Sequence, residues 1–133
     1  MTLKFSNLPD YMTIDELKTN FEEFLKYYDN YYYNIEEGLE DLYELADRQW
    51  HTYELLSDSL KEKIEEYLYK IIDLDSYPII DWILVIIPRL GLENVFFTIL
   101  KRKKYIKNIE VLKLIEEAEE EYGDTVSNPY SGF

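Results

Sequence analysis

His51 is the only histidine in the chain, and the chain has no cysteine. Serine triads, Cys–His pairs and histidine-based metal sites each need a partner residue that this sequence lacks. A di-metal site of the ferritin type needs a Glu-x-x-His motif on two helices, which one histidine cannot supply. The neighbours Trp50 and Tyr53 indicate instead that His51 is a packed or half-exposed side chain.

Carboxylates are the other groups that could do chemistry, and the chain has 28 of them. A glycosidase-like pair of acids is not excluded by their number alone. No Asp-rich twelve-residue loop with a central glycine fits a calcium site, and no glycine-rich phosphate loop occurs. The sequence therefore predicts a protein that is not an enzyme and has no cofactor or metal site.

One predicted helix carries an unusual concentration of acids. At 100° per residue, Leu39, Leu42 and Ala46 lie within about 40° of Ile35, and the acids lie about 100° to 240° from it. These acids are Glu36, Glu37, Glu40, Asp41, Glu44 and Asp47. No basic residue occurs in the segment before Arg48, although an ordinary solvated face would intersperse lysines. We expect a basic partner to cover this face; a solvated acidic face without a partner is the alternative.

Tyrosine is the second feature that indicates binding, since the chain has 14 tyrosines and five of them lie between residues 27 and 33. Helical spacing directs Tyr28 and Tyr32 to the core but not Tyr27 and Tyr33. Exposed tyrosines beside carboxylates are typical of recognition surfaces. The predicted partner-binding set therefore adds four tyrosines to the six acids: Tyr27, Tyr31, Tyr33 and Tyr43. A tyrosine-rich edge of the core is the alternative.

Hydrophobic periodicity and capping residues predict the elements that position these side chains. Five helices are expected at 13–32, 35–48, 58–73, 93–104 and 109–122, with either Ser57 or Ser59 as the cap of the third. A further helix begins near Pro78 and ends at Pro88 and Gly91. Its β-branched run 79–87 would also suit a buried strand, but the proline opening and the lack of a strand partner favour a helix.

The predicted fold is therefore all-α, with about six mostly antiparallel helices around one core. An alternative arrangement for the second half of the chain is α-solenoid-like stacking of its helices. We expect one domain over residues 1–133, with an irregular tail at 124–133. Its oligomeric state is left open.

The charge distribution narrows the choice of partners. The net charge is −14, and residues 1–60 hold 14 acids and 4 bases. Such a field repels nucleic acid and anionic membranes and attracts basic proteins. The basic run 101–104 with Lys107 is interpreted as a helix C-terminus near acidic residues, rather than as a nucleic-acid site. The N-terminus lacks a signal-peptide pattern and no apolar run has membrane-spanning length, so a cytoplasmic location is expected.

The chain resembles bacterial toxin-immunity proteins, the small acidic helical inhibitors of contact-dependent inhibition and polymorphic toxin systems. The resemblance is carried by the overall character of the chain and by the acidic, tyrosine-rich segment from Tyr27 to Asp47, with further family-like stretches at 77–92 and 121–133. It implies a cytoplasmic protein that neutralises a basic toxin, a nuclease, by blocking its active site or substrate groove. Two alternatives are a phage-encoded acidic mimic of nucleic acid that inhibits a host nuclease, and a helical scaffold or regulatory binding protein.

Overall fold

The computed structural model describes residues 8–9, 11–30, 34–123 and 125–126. Over these residues the chain forms six α-helices and no strand, which confirms the all-α prediction. The helices are α1 (Ile14–Asn30), α2 (Ile35–Trp50), α3 (Asp58–Ile71), α4 (Tyr77–Leu90), α5 (Glu93–Lys101) and α6 (Ile109–Tyr122). The β-branched run 79–87 is thus helical. The predicted end of α5 was too late, because a 3₁₀ turn at Lys103–Tyr105 follows it.

Side-chain caps determine where most of the helices begin. The N–H of Thr13 donates to Glu16 Oε1 at 3.0 Å and the N–H of Glu16 donates to Thr13 Oγ1 at 3.1 Å, which confirms the capping box before α1. Asn34 and Asn108 cap α2 and α6 as predicted. Of the two serines considered for α3, Ser57 is the cap, since its hydroxyl accepts from the N–H of Leu60.

The start of α5 has no cap from its own segment, and a buried acid of α3 takes that role. Glu65 accepts from the side-chain amide of Asn94 at 3.2 Å and from the N–H of Val95 at 3.3 Å. One turn earlier on α3, Lys61 pairs with Glu93 at 3.0 Å. A carboxylate at a helix N-terminus satisfies otherwise unpaired donors and interacts favourably with the helix dipole. These contacts fix the position of α5 against α3.

The helices pack in two rows. In one row α2 packs against α4, which also packs against α6; in the other, α1 packs against α3 and α3 against α5. Neighbours within a row run parallel where side-chain contacts define the direction, as Tyr43 meets Trp82 and Asp47 meets Arg89 between α2 and α4. The consecutive helices α1 and α2 are antiparallel.

Buried apolar residues from all six helices form one core. Helix α4 contributes six buried side chains to this core: Ile80, Ile83, Leu84, Ile86, Ile87 and Leu90. Its opposite side is exposed at Asp81 and Val85, so the apolar run is an amphipathic helix rather than one that is buried all round. Within the described residues, no helix has both the length and the apolar character needed to cross a membrane.

The prediction that Pro88 ends α4 was wrong. The helix continues through Pro88 to Leu90 and ends at Gly91, whose φ of 68° is the left-handed conformation typical of a glycine cap. A proline has no N–H to donate to the carbonyl four residues earlier, here that of Leu84. The hydroxyl of Tyr122 on α6 donates to this carbonyl at 2.8 Å. A tertiary contact thus replaces the missing helical hydrogen bond.

Gly38 on α2 lies where α1, α2 and α3 meet. A Cβ atom at this position would lie 2.5 Å from the hydroxyl of Tyr67 and 3.2 Å from the ring of Tyr28. Glycine lowers helix propensity by about 1 kcal/mol relative to alanine, so its presence inside a helix needs a structural reason. The close approach of the two tyrosines is that reason.

We expect Gly38→Ala to destabilise the protein by roughly 1–3 kcal/mol, although the same change in an open helix is stabilising. The cause is the overlap between the new methyl group and the Tyr67 hydroxyl. Adding Tyr67→Phe removes that hydroxyl and should recover part of the lost free energy of unfolding. Urea denaturation of the two single variants and the double variant measures the effect. Independent, additive losses would contradict this account.

We expect Tyr122→Phe to lower the free energy of unfolding by about 1 kcal/mol, because the Leu84 carbonyl loses its donor. In a Pro88→Ala background the cost should be smaller, since residue 88 then has an N–H that can serve the same carbonyl. Tyr77→Phe, which removes a hydroxyl from an exposed residue, is the control. An equal cost of Tyr122→Phe in both backgrounds would refute the proposed replacement.

Candidate functional site

Four carboxylates follow one line along α2. Glu36 is exposed, and Glu40, Glu44 and Asp47 are half-buried. Their spacing of three to four residues places them on one face of the helix, over a length of about 16 Å. We call these four residues the acidic row. They are the part of the predicted acid face that reaches the surface as a continuous line.

Asp41 does not belong to that surface, and its predicted place on the solvent face was wrong. Its side chain is fully buried and accepts a hydrogen bond from the Tyr28 hydroxyl. The physical reason is that α2 packs against α1 on one side and α4 on another. The polar face of α2 is therefore narrower than the half-cylinder that a single buried stripe implies.

Glu37 lies at the border between this buried region and the surface. It is half-buried, and its Oε1 atom is buried without a hydrogen-bond partner in the part of the chain that the structure describes. The N–H of Glu37 donates to the Asn34 cap at 3.0 Å. Its carboxylate adds to the negative potential around the Tyr28 hydroxyl.

Two arginines reduce the negative charge at the C-terminal end of the acidic row. Arg48 pairs with Glu44 at 2.8 Å, and Arg89 of α4 approaches Asp47 at 3.4 Å. Arg89 lies 42 residues from Asp47 in the sequence, so helical periodicity within α2 could not reveal it. Among the residues that the structure describes, no basic side chain pairs with Glu36 or Glu40, so the negative charge of the row is strongest at its N-terminal part.

Arg48 is itself buried and connects α2 to the segment that precedes α1. Its guanidinium donates to the carbonyls of Leu8 at 2.8 Å, Pro9 at 2.7 Å and Glu44 at 2.8 Å. With the Glu44 carboxylate, four acceptors surround this cation. Such saturation compensates for the removal of the charge from water. Arg48 thus has a structural role that holds residues 8 and 9 against the end of α2.

The tyrosines of the predicted partner-binding set lie in different environments. Tyr27 is half-buried and its ring packs against that of Tyr28 at 4.8 Å. Tyr43 is half-buried between Trp82, with ring centroids 5.6 Å apart, and the Arg89 guanidinium, 4.9 Å from its ring centre. Tyr31 and Tyr33 lie outside the described residues. Tyr28 is buried, as its helical position predicts.

The acidic row leads into a cleft at the C-terminal end of α2. One cavity of about 400 Å³ is lined by residues of α2, α4 and the end of α6, among them Asp47, Trp50, Arg89 and Tyr122. A second cavity of about 250 Å³ is lined by Tyr11, Glu44, Asp47, Arg48 and His51. Asp47 and His51 line both cavities. We call the two cavities together the α2 cleft.

Aromatic side chains form the rim of the α2 cleft. The Tyr11 ring is 81% exposed and meets the His51 ring edge to face, with centroids 6.2 Å apart. Trp50 meets the same imidazole at 5.5 Å. Tyr53 does not line either cavity but lies beside Trp50, with ring centroids 6.5 Å apart; it is 63% exposed and has a φ of 60°, which is uncommon for a residue other than glycine. Sequence reasoning did not include these aromatic residues in the binding set, although three of them lie together in the run 50–53.

The tautomer of His51 follows from its contacts. Nδ1 lies 2.7 Å from the Asp47 carbonyl, which can only accept a hydrogen bond, so Nδ1 carries a proton. The Asp47 carboxylate is 3.9 Å from the same nitrogen. Among the described residues, no group of three His, Asp or Glu side chains is placed to hold a metal ion. The cleft therefore offers carboxylates, an oriented imidazole and aromatic faces.

The basic run after α5 is separate from this surface. Lys101, Arg102 and Lys104 are exposed. Lys103 pairs with Glu119 at 3.0 Å and approaches Glu116 at 3.9 Å. The interpretation of this run as a helix C-terminus near acidic residues is confirmed for Lys103. The acids of α6 thus neutralise part of the basic run.

The comparison of this chain with protein-family models finds no match, and none is found with curated protein sequences or with solved structures.

Burial raises the pKa values of Tyr28, Tyr67 and Tyr122 well above their ordinary value of 10.0, and at Tyr28 the Asp41 hydrogen bond adds to this. A pKa that is higher in the folded than in the unfolded chain stabilises the fold at low pH, and this stability is lost as pH rises. The contribution is complete below about pH 10 and decreases above it.

We therefore expect the urea midpoint to fall steeply above about pH 10, where the unfolded chain ionises these phenols and the folded chain does not. Ultraviolet absorbance should show that at least these three tyrosines stay protonated until the protein unfolds. Tyr67→Phe removes one such phenol and should reduce the slope of stability against pH. A midpoint that stays constant through this range would contradict the expectation.

Proposed function

We propose that this protein is an inhibitory binding protein of the immunity type. Its partner is a basic bacterial toxin that cleaves nucleic acid, and inhibition results from covering the toxin's substrate groove. The observation that supports this most directly is the acidic row on α2. It presents carboxylates to a cationic groove along about 16 Å of a rigid helix.

The charge of the whole chain supports the same partner class. A net charge of −14 speeds the encounter with a cationic surface and repels nucleic acid. The helix that carries the row is packed against α1 and α4, so its backbone needs little ordering when a partner binds. Less ordering means that less conformational entropy is lost on association.

The two ends of α2 contribute differently to binding in this proposal. Arg48 and Arg89 neutralise Glu44 and Asp47 in part, so Glu36 and Glu40 exert the stronger attraction for a partner. Exposed aromatic side chains such as Tyr11 and Tyr53 lie beyond the other end of α2. In this proposal the N-terminal end of the row governs the association rate, and the aromatic end supplies buried contacts that slow dissociation.

The product of the neighbouring gene provides the first test. We expect a basic protein whose expression alone arrests growth, and whose toxicity disappears when this chain is co-expressed. The purified pair should form a complex whose nuclease activity is blocked. A neighbouring product that neither arrests growth nor binds this chain would count against the immunity assignment.

The second test locates the surface on that same pair. We expect Glu36→Lys with Glu40→Lys to lower the association rate constant about 10-fold at low ionic strength and to flatten its dependence on salt. Glu117→Lys with Glu120→Lys is the matched control, because it makes the same charge change on exposed residues of α6. Surface plasmon resonance at several salt concentrations measures the association rate constants of the two double variants. Equal slowing by both double variants would mean that net charge acts and that the acidic row is not the contact surface.

A further inference from the structure

We propose that the α2 cleft holds the guanidinium group of one arginine side chain of the basic partner. This inference rests on the proposed function, and it adds a specific contact to it. The cleft shares Glu44 and Asp47 with the acidic row, so a protein that covers the row also reaches the cleft. The chemistry of the cleft determines which side chain it accepts.

The shape of the cleft suits a single long side chain. Its two cavities, of about 400 and 250 Å³, are both bordered by Asp47 and His51. Both are open to solvent, so a side chain can enter without any movement of a helix. A rigid pocket that receives one anchor residue is the usual form of a binding hot spot.

The aromatic groups favour a planar cation. Tyr11, Trp50 and His51 present ring faces or edges to the cleft, and arginine stacks on such rings better than lysine does. The Tyr11 ring is 81% exposed, so a stacked guanidinium would remove apolar ring surface from water. A compact, strongly hydrated ammonium gains less from such faces.

The carboxylates favour positive charge, even though two arginines of the protein are nearby. Arg48 is saturated by the Glu44 carboxylate and three carbonyls, so its charge is already matched. Asp47 has longer contacts, at 3.4 Å to Arg89 and 3.9 Å to His51. A carboxylate accepts about four hydrogen bonds, so Asp47 keeps acceptor capacity for a second guanidinium.

Arg89 already shows how this surface holds a guanidinium. It packs 4.9 Å from the centre of the Tyr43 ring, its Nε approaches Asp47, and its Nη1 donates to the Val85 carbonyl at 2.7 Å. On the other side of Asp47, the cleft offers a similar combination of aromatic ring and carboxylate at Tyr11 and Asp47. The partner's arginine would therefore occupy a position related to that of Arg89 across the same carboxylate.

The test is an NMR titration of the full chain with N-acetyl-arginine methylamide. The matched probe is N-acetyl-citrulline methylamide, which has the same length and a planar end group but no charge. We expect the arginine probe to shift the resonances of Tyr11, Trp50 and His51, with a dissociation constant on the order of millimolar for so small a ligand. The citrulline probe should bind at least about 5-fold more weakly.

Two variants identify the groups responsible. Asp47→Asn should weaken binding of the arginine probe about 5-fold, whereas Glu117→Gln removes the same charge from exposed α6 and should leave the affinity unchanged. Tyr11→Ala should also weaken binding without lowering the thermal midpoint, because the ring is exposed. Equal binding of both probes, or shifts centred on Glu36 and Glu40, would overturn the inference.

These outcomes are independent of the test of the proposed function. Arginine binding in the cleft combined with a neighbouring protein that does not bind would support the cleft and reject the immunity assignment. If neutralisation of a toxin depends on Glu36 and Glu40 and no arginine binds in the cleft, the immunity assignment is supported and the proposed role of the cleft is rejected.

Discussion

The buried carboxylate of Asp41 constrains the packing of the first three helices. A buried carboxyl group needs hydrogen-bond partners to compensate for the lost water, and the Tyr28 hydroxyl of α1 donates to Asp41. This bond connects α1 to α2 within the core. Three residues earlier on α2, Gly38 leaves the space that the Tyr67 hydroxyl of α3 occupies. A polar contact and a steric one, less than a turn apart, thus fix three helices relative to each other.

Local signals in the sequence predicted most of the helix starts, because a cap and the residue that it bonds lie within three positions of each other. Thr13, Asn34 and Asn108 are such cases. The end of α4 at Gly91 was predicted from the sequence, but the continuation of the helix through Pro88 was not predictable in this way. Pro88 is normally a helix breaker, and the donor that compensates for it is Tyr122, 38 residues from the carbonyl that it serves.

In the candidate site, too, local sequence signals predicted some features, and others depend on tertiary contacts. Periodicity correctly placed the apolar stripe of α2, but it could not show that two helices would pack against α2 and bury Asp41. It also could not bring Arg89 to Asp47 or Tyr11 to His51, because both pairs arise from tertiary structure. Composition predicted a basic partner, and the fold determines which carboxylates of α2 reach the surface.

The hydrogen bond from Tyr122 to the Leu84 carbonyl also has a consequence for the order of events during translation. Residues 77–90 can form a helix as soon as they leave the ribosome, but the Leu84 carbonyl lacks its protein donor until Tyr122 has also emerged. Helix α4 is the neighbour of both α2 and α6 in its row, so the row is completed only at that late stage. A nascent chain that stalls before residue 122 therefore has α4 without the cover of α6, and only water can then donate to the Leu84 carbonyl.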